Sequence, residues 1–405
     1  MSTPAPAAPA GRATYLRVLA VAEFRALFAA EVLSVLALVA VQITLSVLVF
    51  ERTGSPLLSA LAFALGFAPQ LVGAALLSAA ADRLPARSLM TGAQAVNAAL
   101  VAGMALPGAP VPAMLALLAV TGLIAPVYQG CRAAAVADVL PGDGFPLGRS
   151  LLRMAAQTAQ IAGFGVGGTL LMVLPARTVL AGAAAMMAAS ALLILLGTAA
   201  RPARRGSGPE RLVGASLSGF ARALRVPRLR SVLLLTWLPP ALGVWPEALA
   251  APLAHGMGGG PVLVGLLLTA GPVGTVAGEL LAGALLDAER RRRWMVPLAL
   301  AVFAPFPAFA AAPGPVAAVA LLGAGALGFG YTLALDALLL EAAPEEMRGR
   351  VFTLSSAGLM ITQGAGFAAA GAVAEAVPPH LAVAAAGAVG LAVVLTAGRP
   401  FLRRR

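Results

Sequence analysis

The sequence predicts an all-α membrane protein: twelve transmembrane helices in two pseudo-symmetric six-helix bundles, with both chain ends cytosolic. Three observations carry this. Of 405 residues, 60% are apolar and 11% charged, with a mean hydropathy of +0.92; a soluble domain has about 45–50% and 25%. Apolar runs of spanning length recur twelve times, each ended by turn residues or charge. Arginines gather in every second connection. The composition excludes a soluble globular protein, a disordered chain and a nucleic-acid module. The net charge of +12 is therefore a matter of topology rather than of a polyanionic partner.

Residues 1–20, rich at the start in Ala, Pro and Ser, read as a disordered cytosolic lead without the pattern of a cleaved signal. The spans fall at 27–50, 57–79, 88–106, 112–137, 150–174, 178–199, 231–253, 261–285, 295–312, 315–340, 353–376 and 381–398. A crossing helix takes about 20 residues, so twelve occupy about 240 and leave mostly short connections. No segment alternates as a strand would, and the runs are too long for a barrel. Residues 21–199 make the first bundle, 200–230 a cytosolic linker, 231–398 the second bundle and 399–405 a basic tail. In the linker, Val213, Leu217, Phe220 and Leu224 share one helical face beside Arg211, Arg222 and Arg225, which reads as an interfacial helix on the anionic inner leaflet. With the amino end inside, 26 of the 28 arginines lie on the cytosolic side, and only Arg52 and Arg177 on the other. That bias fixes orientation, and its alternation fixes the span count.

The two halves align at an offset of 203 to 205. At 205, Pro56 matches Pro261, Gly73 matches Gly278, Asp82 matches Asp287 and Arg87 matches Arg292. At 203, Tyr128 matches Tyr331, Asp138 matches Glu341, Pro141 matches Pro344 and Gln160 matches Gln363. Six spans per half make the repeat parallel, the arrangement of two bundles rocking about a central site.

Over roughly residues 15–400 the chain resembles the major facilitator superfamily. Its signature between the second and third spans is similar to Ser78-Ala79-Ala80-Ala81-Asp82-Arg83-Leu84-Pro85-Ala86-Arg87; the second copy reads Gly283-Ala284-Leu285-Leu286-Asp287, then Arg290 to Arg293. The stretch Glu51-Arg52-Thr53-Gly54-Ser55-Pro56 resembles the first outer loop of the macrolide and siderophore exporters. Gly163-Phe164-Gly165-Val166-Gly167-Gly168 resembles the glycine-rich fifth helix of drug–proton antiporters, with Phe164 in place of their Pro. The runs Asp138…Pro141 and Glu341…Pro344…Arg348-Gly349-Arg350 resemble the inner loops after the fourth and tenth helices. The resemblance implies a drug-type exporter. It also implies that Asp82 docks on the start of the eleventh helix near Arg350 and Asp287 on the fifth near Arg149, where a helix N-terminus attracts a carboxylate. Arg132 is then a charge partner for Asp82 or Asp138. Asp82, Arg83, Arg87, Arg132, Asp138, Asp287, Glu341 and Arg348 would together latch the cytosolic side; for the arginines a purely topological role stays open.

Ionisable groups inside a membrane are costly and are functional candidates by default. Here they are Glu31, Glu247, Glu279 and Asp336, in the first, seventh, eighth and tenth spans. At 1.5 Å per residue, Glu31, Glu279 and Asp336 lie about 8–12 Å from the cytosolic ends, where gating or snorkelling competes, and Glu247 about 24 Å along its span. Pro239, Pro240 and Pro246 should break that span, and broken helices mark binding or gating segments. Glu247 and Asp336 lead as proton-coupling candidates, followed by Glu31 and Glu279. Gln42, Tyr128, Gln129, Gln160, Trp237, Trp245, Tyr331 and Gln363 are the cavity candidates; packing is the alternative for the aromatic ones. Sparse polar groups on apolar walls suit an amphipathic organic substrate. One cysteine, Cys131, and two histidines, His255 and His380, supply neither a disulfide nor a metal cluster, so neither cofactor nor catalysis is expected. The reading is proton-driven export of a small molecule across the plasma membrane by a monomer contacting anionic lipid and no nucleic acid. Nutrient import or facilitation on the same scaffold, and a transport-inactive sensor, stay open.

Overall fold

The computed structural model describes residues 15–140, 144–201, 227–342 and 348–402, apart from the side chains of 75–83, 227–228, 340, 342, 348–354 and 402. Its first half holds α1 (Tyr15–Ala20), α2 (Ala22–Thr53), α3 (Pro56–Arg83), α4 (Ala86–Met104), α5 (Val111–Val139), α6 (Gly144–Val173) and α7 (Ala176–Gly197). The second half holds α8 (Pro227–Gly243), α9 (Trp245–Ala248), α10 (Ala250–Gly256), α11 (Pro261–Leu285), α12 (Ala288–Phe303), α13 (Pro315–Ala326), α14 (Thr332–Ala342), α15 (Arg348–Ala376) and α16 (Pro379–Leu402), with 3-10 turns at Phe306–Ala311 and Leu327–Tyr331. Nine helices among the described residues are long and apolar enough to cross a membrane, or ten when one bent pair counts as a single span. A helix or broken helix overlies each of the twelve apolar runs.

The punctuation is chemical. Pro56, Pro261, Pro315 and Pro379 open their helices, where a fixed φ helps and the missing N–H is an orphan anyway. Gly54 ends α2 at φ +65°, its N–H returning to the Phe50 carbonyl at 2.8 Å, a left-handed cap that glycine adopts freely. The seventh run breaks as its prolines require: α8 with α9 turns by 46° into α10. Residues 15–20, counted above in the lead, form α1, because Val18 is buried against the first-bundle core and Tyr15 Oη reaches Ser150 Oγ at 3.5 Å. The interfacial stretch 213–224 lies outside the described residues.

The repeat is visible in packing. A Cβ on Gly73 would fall onto the Leu123 carbonyl, and one on Gly278 onto the Leu327 carbonyl. Offsets of 205 and 204 relate the two contacts, and in each half a small residue lets neighbouring helices touch. Because the helices alternate in direction, one face of the molecule (the near face) carries the start of α2 and the end of α16. The far face carries the α2–α3 and α15–α16 turns. Among the described residues the most extensive helix contact joins α3 to α15, one helix from each half, and α6 to α11 is a second such seam.

Candidate functional site

The two seams join the halves toward the far face. Phe63 and Phe67 stack on Phe367 with centroids 5.4 and 5.5 Å apart, contacts that contribute about 0.5–1.5 kcal/mol each beyond burial. Gly168 and Gly265 bring α6 onto α11, and a Cβ on Gly168 would lie 3.0 Å from the Gly265 Cα. Glu375, in the last turn of α15, accepts from Ser55 Oγ–H at 2.5 Å and from the Leu57 N–H at 3.0 Å. A carboxylate of one half thus caps a helix of the other, satisfying orphan donors and meeting the positive helix end. The Phe50 and His255 rings meet edge-on at 5.6 Å. All these contacts lie in the far halves of their helices.

The near half is different. Arg153 on α6 stands close enough to Glu279 on α11 and Asp336 on α14 to act electrostatically on both. Thr332 Oγ1 donates to Glu279 at 3.4 Å. Arg153 and Asp336 are exposed and Glu279 is partly buried, although their helices are otherwise apolar. Exposed charges in such helices face water or one another rather than acyl chains. One guanidinium of the first half therefore acts on two carboxylates of the second across the boundary between the halves.

Within the first half Glu31, 6% exposed, is ion-paired with Arg132. Tyr128 Oη donates to Glu31 at 3.5 Å, and the Arg132 guanidinium sits 5.6 Å from the Tyr128 ring centre. Gln94 donates to Ser190 at 2.9 Å and Ser190 to the Ala30 carbonyl at 2.9 Å, carrying the polar network into α4 and α7. The repeat-related Tyr331 is wholly buried and donates to the Leu235 carbonyl at 3.0 Å. That carbonyl lost its helical donor to Pro239, so Tyr331, expected on a cavity wall, is a core residue. Trp237 is corrected likewise: its Nε1–H donates to the Ser355 carbonyl at 2.9 Å, and its ring packs on Gly358. Trp245 and Gln42 are buried, Gln160 and Gln363 partly so, and Gln129 is exposed.

The latch candidates separate. Arg132, expected against Asp82 or Asp138, forms its pair with Glu31, which faces it from α2 within the same bundle. Asp287, expected on the start of α6, instead caps its own helix α12, accepting the Arg290 N–H at 2.8 Å with Arg290 Nε at 3.6 Å. A backbone N–H three residues ahead lies within reach of an N-cap carboxylate. Arg87 donates to the Leu195 carbonyl at the end of α7, and Glu341 pairs with Arg292. Asp138 is exposed. The side chains of Asp82, Arg83 and Arg348 lie outside the described residues. Glu247 lines a cavity formed by the second half alone, from α8, α9, α11, α12 and α13 with the 3-10 turns beside them.

Arg153, Glu375 and Glu23 escaped the sequence reading. Arg153 was counted only as a topology charge; the signal was its place with Gln157 and Gln160 at i, i+4 and i+7, one polar helical face. Glu375 and Ser55 are 320 residues apart. Glu23 forks onto Arg201 at 2.5 and 2.8 Å and accepts the Ala199 N–H at 2.9 Å, tying the start of α2 to the end of α7.

A multi-pass helical chain of two related halves, with opposite charges meeting at the boundary between them, has the architecture of a membrane transporter. Residues 27–246 match the model of the Major Facilitator Superfamily, and the chain belongs to that superfamily. No curated protein matches it in sequence. Among solved structures it is similar to the nucleoside transporter NupG, at 15% identity and TM-score 0.72 over 94% of this chain and 99% of that one. A peptide transporter of the POT family in complex with sulfate gives 14% and 0.73 over 97% and 99%. A bacterial homologue of the human lysosomal transporter Spinster, inward-facing and unoccupied, gives 16% and 0.66 over 95% and 98%. At such identities the likeness is one of fold.

Proposed function

We propose that the protein is a secondary transporter moving a small amphipathic organic molecule across the plasma membrane, its two bundles rocking about the cleft of Arg153, Glu279 and Asp336. The observation that carries this is the opposition of one guanidinium to two carboxylates across the boundary between the halves. Two states follow from it: closure brings the opposed charges together, and opening exposes them to water and substrate. Twelve crossings with both ends cytosolic agree with the arginine distribution. On that orientation the far-face contacts close the outside, and the cleft opens inward. Asp336 and Glu279 are proton-coupling candidates because a carboxylate released from Arg153 can accept a proton. Glu31, already paired, stands behind them, and Glu247 keeps its place as a candidate. The chain works as a monomer on anionic inner-leaflet lipid, without a cofactor.

Export is supported by the resemblance of Glu51–Pro56 and of the glycine-rich run in α6 to exporters. Uptake is the second reading, favoured by the likeness to structures of nucleoside and peptide transporters. Reconstituted chain under an imposed pH gradient tests the whole. Gradient-driven accumulation of a lipophilic fluorescent dye should fall at least about tenfold in R153A, E279Q and D336N, the loss of one strong charge-assisted contact, while Y331F should retain it. Unchanged accumulation in all three cleft variants would end the assignment. Dye retention that rises in cells lacking the protein supports export; retention that falls supports uptake.

A further inference from the structure

Two titratable side chains take part in the contacts that join the halves at the far face. One is Glu375, which caps α3. The other is His255, in the half of the molecule opposite to Arg153, Glu279 and Asp336. It lies in the last turn of α10, the second limb of the broken span, and is exposed. Its ring meets that of Phe50, in the last turn of α2, with centroids 5.6 Å apart and planes at 69°. Helix α10 reaches across to α2 and α3 of the first half, so this ring pair lies on the boundary and not inside either bundle.

A neutral imidazole gives the contact only the attraction of two rings meeting at an edge. With a proton it becomes a cation beside an aromatic ring, which attracts positive charge through its quadrupole within about 6 Å of the centroid. The charged neighbours do not oppose that change. From α2, Glu51 and Arg52 follow Phe50. Glu51 is exposed and attracts a cation; the Arg52 guanidinium turns to the first bundle, donating to the Ala109 carbonyl at 3.0 Å and lying 3.7 Å from Met114 Sδ. The far turns of α3 and α11 carry no charged or titratable group. Helix α9 carries Glu247, in its cavity within the second half. From α16 comes His380, which lines a hollow with Gly256 and Met257 made by the second half alone.

We propose that His255 senses acid on the outer side: its protonation tightens the far-face contact of α10 with α2 and favours the inward-facing state. The proposal rests on the transporter reading, which puts the far face outside, and adds a regulatory proton that binds and leaves on one side without being carried across. Its sign is set by the chemistry of the two groups. An imidazole changes charge between about pH 5 and 8, so the closure that His255 contributes is present in acid and lost as pH rises through that range. A carboxylate cap works the other way, present while ionised and lost only in stronger acid. Far-face closure is therefore greatest in mild acid.

The test reads a distance and needs no substrate. Spin labels are placed on cysteines replacing Leu106 and Val316, exposed at the far face on opposite halves, in the full-length chain with Cys131 changed to Ser. Between about pH 8 and about pH 5.5 the ratio of short to long distances should rise about two- to fivefold, the range of an exposed cation–ring contact. H255F keeps two rings together but takes no proton, and should show one ratio at both pH values. H255R, charged throughout, should hold the acid ratio at both. F50L should remove the response and H380F keep it. A wild-type ratio that does not move, or an H255F chain that responds as wild type does, would overturn the sensor. Dye exchange by wild-type chain in liposomes tests the transporter reading separately. Its absence would strike that reading while the pH response of the distances still decides the sensor.

Discussion

At the scale of single residues, the Glu31–Arg132 pair and the Tyr331–Leu235 bond occupy corresponding places in the two halves and meet opposite requirements. The first buries charge, which a membrane tolerates only when paired; the second returns a donor to a carbonyl that proline had orphaned. Breaking a buried pair from one side costs about 3–5 kcal/mol. R132A should therefore lower the unfolding midpoint steeply, and E31Q combined with R132Q should be less damaging than R132A alone. Equal damage from the single and double changes would show that the pair is not coupled. Asp287 provides a second discriminating case. As a local cap it contributes about 0.5–2 kcal/mol, so D287A should reduce stability modestly and leave the balance of open and closed states untouched. A shift in distance distributions between spin labels on the two bundles would instead restore it to the latch.

At the scale of elements, α3 with α15 and α6 with α11 join the two halves, and what they share is small side chains plus a few rings. The Glu375 cap is the most easily removed part, because it is exposed and touches no core. A contact worth about 1 kcal/mol changes a two-state ratio roughly fivefold. E375A should raise the population open on the far face by about that factor. Labels near residues 55 and 375 would report the separation, and an unchanged distance distribution would remove Glu375 from the closing device. Helix α8 to α10 shows the same logic inside one span: three prolines in the sequence foretold its break, and the bend follows where backbone donors are missing.

At the scale of the molecule, the apolar runs and the internal repeat were readable because membrane helices obey length and composition before anything else. Contacts between residues hundreds of positions apart were not. Nothing near Ser55 announces Glu375, and Arg153 looked like one more topology charge until α6 faced α11. Glu247 was found by its depth, but depth along a helix does not say which way the helix face turns, so its cavity within the second half was not legible. The orientation makes its own prediction. Single cysteines replacing Leu106 and Leu285, both exposed at opposite faces, in a chain with Cys131 changed to Ser, should react with an impermeant maleimide from outside and inside respectively. The reverse labelling would invert the topology. The unequal tyrosine environments reach further. The two halves repeat one another in sequence, yet one holds the Glu31–Arg132 pair and the other the crooked helix with Glu247. On the proposed reading, a hybrid built from two first halves should insert and pair but never complete a cycle, because it would lack Glu279, Asp336 and the crooked helix.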